Sequence, residues 1–501
     1  MNPSVPAPSS LVKPTSGYVD NPSWISGIPQ KKRSGERDYL EIVLVCVLVV
    51  LAIQAIHSTS IWGLAWVGLG GVALAIKRRM SVPFLLIVEA PVFHAILSYS
   101  ATVMYLAHEE NAFDLVHDPS LNEAIWTAWG GMACYLLGLA WSLGKKWGQA
   151  REHPPEIKMT EKQAVALCVF GLICNEIFAP VVPGSIRVVM VVFGYAAPLA
   201  LFILLKLYTQ AGIHWVGTWK FFFWVTTLVW WAMRSVAGGI FGSTILILFI
   251  FMIQFVQKSR LLLIGFCLCV GILAPTIQDT KSDYRHSLEA EGKASGRTLK
   301  EVFVVNFKEI FIKGDFTTYR EGITALAYRL CTFDIWQRVK QHMDIHRDFA
   351  GGQTVKDALI TSFTPRVFWP SKPITGGSSD LAIQYADMML FEGTSVGVGL
   401  ISEFYINGGT WAVLTGMLVI GFLAGIVLNR GLQDSVQPLG VMMAISVIAC
   451  LVRPEANLSD VLGGIVRLIF LWWMLRAWVL RLYLRSRRLL IRRGLVGGAP
   501  G

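Results

Sequence analysis

Runs of about twenty apolar residues recur along this chain, and nothing else limits its fold as strongly. Each run is long enough to cross the hydrocarbon core of a bilayer as a helix, where every backbone N–H and C=O must be satisfied inside the protein. The runs lie near 39–56, 61–76, 82–106, 124–143, 163–182, 187–206, 220–236, 239–256, 261–277, 409–428, 438–452 and 459–482. The first two are short, as suits tilted spans or a tight hairpin, and 391–406 is a candidate half-span. The pattern predicts an all-α polytopic membrane protein with about twelve transmembrane helices and a large helical loop before the last three. With 54% hydrophobic and 15% charged residues and a mean hydropathy of +0.54, a soluble class is excluded.

The net charge of +11 does not mark a nucleic-acid partner, because of where the cations stand. They cluster in short segments between apolar runs, which is the signature of membrane orientation. Lys31, Lys32, Arg33 and Arg37 precede the first run, and Lys77, Arg78 and Arg79 follow the second. Lys145, Lys146 and Arg151 follow the fourth, Lys258 and Arg260 the eighth, and Arg430 the tenth. The tail after the twelfth carries Arg481, Arg485, Arg487, Arg488, Arg492 and Arg493. All fall on one side if the spans alternate, so both termini are expected in the cytoplasm and the large loop on the opposite face. The expected division is a disordered tail over 1–38, spans one to nine over 39–277, the loop over 278–408, spans ten to twelve over 409–482, and a basic tail over 483–501. No cleavable signal peptide is apparent. The basic tail reads as a helix lying on an anionic inner leaflet.

Seven of the eight cysteines lie in apolar runs and Cys331 stands alone in the loop, so no disulfide framework is expected. No His/Cys cluster has metal-ligand spacing and no phosphate-binding glycine motif appears, so neither a metal nor a nucleotide cofactor is expected.

The loop contains its own elements. Apolar positions Ile323, Leu326, Ala327, Leu330 and Phe333 have the spacing of one helix face and predict a helix over 319–343, which also carries Arg329. A short helix over 355–363 must stop before Pro365. Another over 380–391, capped by Ser378 or Ser379, would place Leu381, Tyr385 and Met388 on one face and lie along the membrane surface. Between them runs Thr364-Pro365-Arg366-Val367-Phe368-Trp369-Pro370-Ser371-Lys372-Pro373, in which three prolines stiffen a backbone that is neither helix nor strand. Arg366 and Lys372 on such a rigid stretch suit phosphate recognition, the first as a fork and the second as a point charge. A proline-braced turn with solvated cations is the alternative.

Glu403 and Asn407 are spaced i,i+4 and would share a helix face at the mouth of the tenth span. Apolar surroundings disfavour the charged form of a carboxylate, which makes it a better base. The structural alternative is an ion pair between Glu403 and a nearby arginine. Arg453 follows span eleven and Arg467 lies about two turns inside span twelve, where a cation is costly and usually partnered; Glu455 and Asp460 are the nearest carboxylates in sequence.

The order Arg329, Gly351-Gly352-Gln353-Thr354, Pro365-Arg366-Val367-Phe368-Trp369-Pro370-Ser371-Lys372-Pro373, Thr394-Ser395 and Glu403-Phe404-Tyr405-Ile406-Asn407-Gly408-Gly409 resembles the bacterial O-antigen polymerase (Wzy-type) family. The resemblance covers best about 319–430. It implies a bacterial inner-membrane enzyme that joins undecaprenyl-diphosphate-linked oligosaccharide repeat units at the periplasmic face, by inverting, metal-independent glycosyl transfer with lipid diphosphate as leaving group. It implies Arg329, Arg366 and Lys372 at the diphosphate, with Arg453 and Arg467 as second choices. Glu403 becomes the leading base and Asp380 its runner-up. Trp369 and Tyr385 are candidates to stack on sugars, or else interfacial anchors. Partners would be the lipid-linked glycans, the bilayer, and a chain-length regulator and flippase of the same pathway. A ligase-like glycosyltransferase using the same donor is the nearest rival, and a flippase or transporter of the same lipid is another; the latter would show internal repeats and paired ionisable residues deep in several spans.

Overall fold

The computed structural model describes residues 39–57, 60–80, 86–109, 119–143, 161–182, 316–364, 369, 378–389, 396–432 and 456–492, with scattered positions between 190 and 204 and between 440 and 451. Every regular element among them is helical. The first five are α1 (Tyr39–His57), α2 (Ile61–Met80), α3 (Leu86–Ile96), α4 (Thr102–Glu109) and α5 (Pro119–Leu143). Then come α6 (Glu161–Ile173), α7 (Phe316–Leu330), α8 (Phe333–His346), α9 (Gln353–Phe363), α10 (Ser378–Ala386), α11 (Gly399–Leu432) and α12 (Leu458–Arg492).

Among the described residues, four helices are long and apolar enough to cross a membrane: Leu121–Leu143, Glu161–Val181, Gly399–Arg430 and Leu458–Trp478. They coincide with the apolar runs near 124–143, 163–182, 409–428 and 459–482. Leu44–His57 and Ile61–Ile76 are shorter apolar helices, matching the two short runs. The runs near 220–236, 239–256 and 261–277 lie outside the described residues. Exposure of large apolar side chains on these helices, among them Val50, Ile53, Leu137, Trp141, Val181 and Val419, is what a lipid-facing surface requires and a soluble fold would avoid.

The tightest packing joins α5 to α11. Cβ atoms added at Gly138 and Gly421 would overlap the backbone carbonyl oxygens of Leu418 and Tyr135, and one at Gly425 would overlap the Ser142 hydroxyl. The two backbones therefore touch. In lipid, where apolar side chains gain little by leaving the solvent, such small-residue seams are how helices hold each other.

α3 runs into α4 through a π-turn at Leu97–Ala101, and Pro91 sits inside α3. Proline has no N–H to give and the π-turn shifts the ladder by one residue, so this apolar helix is twice interrupted. Thr102 Oγ1 donates to the Leu97 and Ser98 carbonyls, 2.8 and 3.2 Å away, beside the Thr102 N–H that closes the π-turn on the Leu97 carbonyl.

Two loop helices differ from expectation. The helix predicted over 319–343 is broken at Cys331–Thr332 into α7 and α8. The break turns the axis so that Trp336, fully buried, donates its indole N–H to the Ala124 carbonyl at 2.9 Å. Docking on α5 overrides local helix propensity. Burial in that break pushes the Cys331 thiol pKa up. The helix predicted over 380–391 is α10, ending at Ala386, because Asp387 takes a left-handed φ of 49°. α9 spans Gln353–Phe363 and is followed by an extended Thr364, as the proline after it requires. α12 continues unbroken to Arg492, so the arginines of 481–492 stand on the same helix as the last apolar run. Its 35 residues reach about 52 Å, well past a hydrocarbon core of about 30 Å.

Candidate active site

α11 is two arms joined by a sharp reversal. Gly408 is extended and Gly409 has φ 64° and ψ −155°, a combination essentially confined to glycine. Residues 399–407 fold back along 410–432, bringing the Phe404 ring against Gly416 and Ile401 towards Met417. Phe349 packs over Gly409, and the Ala350 N–H donates to the Ile406 carbonyl at 2.8 Å, so the loop preceding α9 clasps the reversal.

The short arm carries Glu403, whose side chain is 2% exposed. Its Oε2 accepts the backbone N–H of Leu458, the first residue of α12, at 2.6 Å. That position gives the carboxylate an orphan donor and the positive end of a helix. The Thr354 hydroxyl of α9 also hydrogen-bonds to it. Among the described residues no cation pairs with Glu403, and the partners of its carboxylate are uncharged donors. Apolar burial favours the protonated acid there and the donors favour the anion.

Around it, Asn407 donates to Thr354 Oγ1 and to the Glu403 carbonyl, both at 2.7 Å, while its own Oδ1 is buried with no partner among the described residues. Asn457 caps α12: its backbone oxygen accepts the N–H groups of Asp460 and Val461, and its Oδ1 accepts Val398 N–H at 3.0 Å. Thus α9, both ends of the short arm and the start of α12 meet at one carboxylate. Neither Asn457 nor the role of Thr354 was singled out from sequence. An Asn immediately before Leu458-Ser459-Asp460 and an apolar run is a helix-start signal that marks the first.

A second polar cluster fixes the same arm from α8. Lys340, 3% exposed, pairs with Glu123 of α5 at 3.0 Å and with Asp344, and Tyr405 donates to Asp344 at 2.8 Å. Burial works against the lysine's charge, but the Asp344 and Glu123 carboxylates outweigh it and hold its pKa above the ordinary value. The Trp336 ring meets Tyr405 edge-on at 5.0 Å.

The other predicted residues fall as follows. Tyr385 is buried in α10 against α8, its phenol pKa raised by burial and by Asp348, so it is a packing residue and not an open stacking platform. Asp380 is exposed at the start of α10, and no described contact brings it to Glu403. Trp369 is half-buried. Arg467 is exposed on α12 and donates Nε to the Gly463 carbonyl at 2.8 Å, along its own helix, instead of entering the buried site. Arg329 lies in α7, with its side chain outside the described residues; Arg366, Lys372 and Arg453 lie outside them altogether. Among the described residues no group of three His, Cys, Asp or Glu side chains could hold a metal ion.

A family model described as a domain of unknown function (DUF8712) matches residues 240–433. That stretch holds α7 to α11, and with them Arg329, Arg366, Trp369, Lys372, Asp380, Tyr385 and Glu403, but not Arg453 or Arg467. No curated protein and no solved structure matches the chain.

Proposed function

We propose that this protein is a membrane glycosyltransferase that polymerises lipid-linked oligosaccharide repeat units, with Glu403 as general base. In this reading it has about twelve spans in a bacterial inner membrane, both termini in the cytoplasm, and the loop helices on the periplasmic side. The observation that carries the proposal is a buried carboxylate that has uncharged donors and, among the described residues, no cation, held where loop helices meet the membrane helices. A purely structural carboxylate in such a place is usually ion-paired, and one kept free of a cation can exchange a proton.

In the proposed step Glu403 takes the proton of an acceptor sugar hydroxyl. That oxygen forms a bond to the donor's anomeric carbon as the bond from this carbon to the diphosphate oxygen breaks, inverting the centre. The electron pair leaves with undecaprenyl diphosphate, whose charge Arg329, Arg366 and Lys372 neutralise. Isosteric Glu403→Gln keeps the hydrogen-bond geometry and removes the base. Purified protein given defined undecaprenyl-diphosphate-linked repeat units should make polymer, and the Gln variant should lose at least about a hundredfold in rate with its melting temperature kept near wild type. Wild-type turnover in the variant returns Glu403 to a structural role. Transfer onto a different acceptor with no growth of the lipid intermediate would make the protein a ligase.

A further inference from the structure

α9 leaves one face uncovered, and the polarity of that face changes along the helix instead of around it. Leu359, Ile360 and Phe363 share the exposed side, Phe363 with 64% of its surface open, while Ala358 and Thr361 are buried on the other. Gln353, Lys356 and Asp357, in the first half of the helix, are exposed as well. Gln353 stands two turns before Ile360 and Lys356 two turns before Phe363, in each case on the same face and about 10 Å away. A helix lying flat on a membrane is polar on one side and apolar on the other. One that is polar at its N-terminal end and apolar at its C-terminal end suits entry into an apolar medium tip first.

The helix it packs on gives the depth. Ser362 Oγ of α9 donates to the Ser459 carbonyl of α12 at 3.3 Å, and a Cβ at Gly463 would come within 3.9 Å of the same hydroxyl. The last turn of α9 is therefore level with the first two turns of α12, where the apolar segment Leu458–Trp478 begins. Phe470 follows Gly463 by two turns on the same face of α12, and both Phe470 and its neighbour Trp473 are about half exposed. The face that α9 covers thus becomes a lipid-facing one just beyond the end of α9. Arg467 stands between the two and turns back, its Nε donating to the Gly463 carbonyl one turn towards α9. A cation that folds away from apolar surface in this way keeps its charge at the polar border.

We infer that α9 is seated tip first in the bilayer, with Leu359, Ile360 and Phe363 against acyl chains and Lys356 among the headgroups. Lipid is the occupant because the apolar end of α9 runs on into the lipid-facing surface of α12 at Phe470. The other end of α9 carries Thr354, which accepts from Asn407 at 2.7 Å and bonds to Glu403. Thr354 and Phe363 are nine residues apart, about 14 Å along the axis, so the helix ties the joint at Glu403 to the depth of one leaflet.

The test uses the full-length protein in phospholipid nanodiscs, with p-benzoylphenylalanine placed singly at Gln353, Ile360, Phe363 or Phe470 and adducts mapped by mass spectrometry after photolysis. Phospholipid adducts are expected at 360 and 363, as at 470, and about tenfold fewer at 353. Phe363→Glu should cut the adducts at 360 about threefold, because a charge at the tip is costly among acyl chains. Its melting temperature in detergent should stay within about 2 °C of wild type, since the side chain it replaces is exposed. Equal adducts at 353 and 363, or none at 363, overturn the inference. Cross-links from 363 to another segment of this chain or to a second copy also overturn it, and identify the protein surface that covers α9 instead. If Phe363→Glu does not fold, the adduct pattern along α9 decides by itself. No readout involves turnover, so failure of this inference and failure of the polymerase reading give different results.

Discussion

α11 uses glycine in two regions for two different reasons. Along its long arm Gly421 and Gly425 are there for space, since the backbone and side chains of α5 occupy the volume a Cβ would take. At the reversal Gly409 is there for its dihedral angles, and a Cβ would meet only the Phe349 ring at ordinary contact distance, 3.6 Å. The first region is apolar and closed by omission of side chains. The second leads to a joint held by specific polar atoms: Glu403, Asn407, Thr354 and Asn457 on one side, Lys340, Asp344 and Tyr405 on the other. A seam of the first kind should fail when an atom is added, and a joint of the second kind when an angle or a charge is changed. The membrane frame can therefore be rigid while the arm bearing Glu403 depends on a few interactions.

The hardest blow to the seam is Gly421→Ala, which puts a methyl into the Tyr135 carbonyl. It should cost about 3 kcal/mol or more, and a melting temperature in detergent within about 2 °C of wild type would show that the helices can part cheaply. At the reversal, Gly409→Ala should cost about 2 kcal/mol of backbone strain. Because the strain falls on the arm and not on the seam, polymer formation should drop further than the stability loss explains; proportionate losses would mean the arm is not set by the turn.

Lys340→Met removes the cation between α5 and α8 and should cost about 1–2 kcal/mol, less than a fully buried pair, because Glu123 and Asp344 are about half exposed and stay hydrated. The lysine's folded pKa is raised, so its contribution is fully present below the ordinary lysine value of about 10.4 and is lost as pH rises through the folded value. Stability measured across that alkaline window should fall in the wild type by more than in the Met variant; equal slopes would remove Lys340 from the joint. The smallest effect belongs to Gly71→Ala in α2, where a Cβ would meet nothing within 4 Å. It should stay within about 0.5 kcal/mol, and a large loss there would mean that glycine content, not steric overlap, explains the seam.

Much of the site was legible one helix face at a time. The i,i+4 spacing of Glu403 and Asn407 places them as the structure has them, with the Asn407 amide on the Glu403 carbonyl. The proline after Thr364 ends α9 where expected. The anchor at Leu458 N–H was not legible, since it comes from 55 residues away and is a backbone group with no sequence signature of its own. The break at Cys331–Thr332 was also hidden: the apolar spacing runs straight through it, and only the docking of Trp336 on Ala124 decides it.

By itself the sequence determined that this is a helical membrane protein, because a bilayer offers a lone chain segment no other way to satisfy its backbone, and that requirement is local. It also determined which residues could do chemistry, since charge and polarity in an apolar context are visible in one dimension. Only the tertiary structure decided that Glu403 has uncharged donors and no cation among the described residues, that Asp380 and Arg467 stay exposed, and that a Cβ at Gly421 would meet the α5 backbone where one at Gly71 would meet nothing. Each of these depends on which atoms of distant segments fill the neighbouring space, and close packing sets that only when the whole chain has folded.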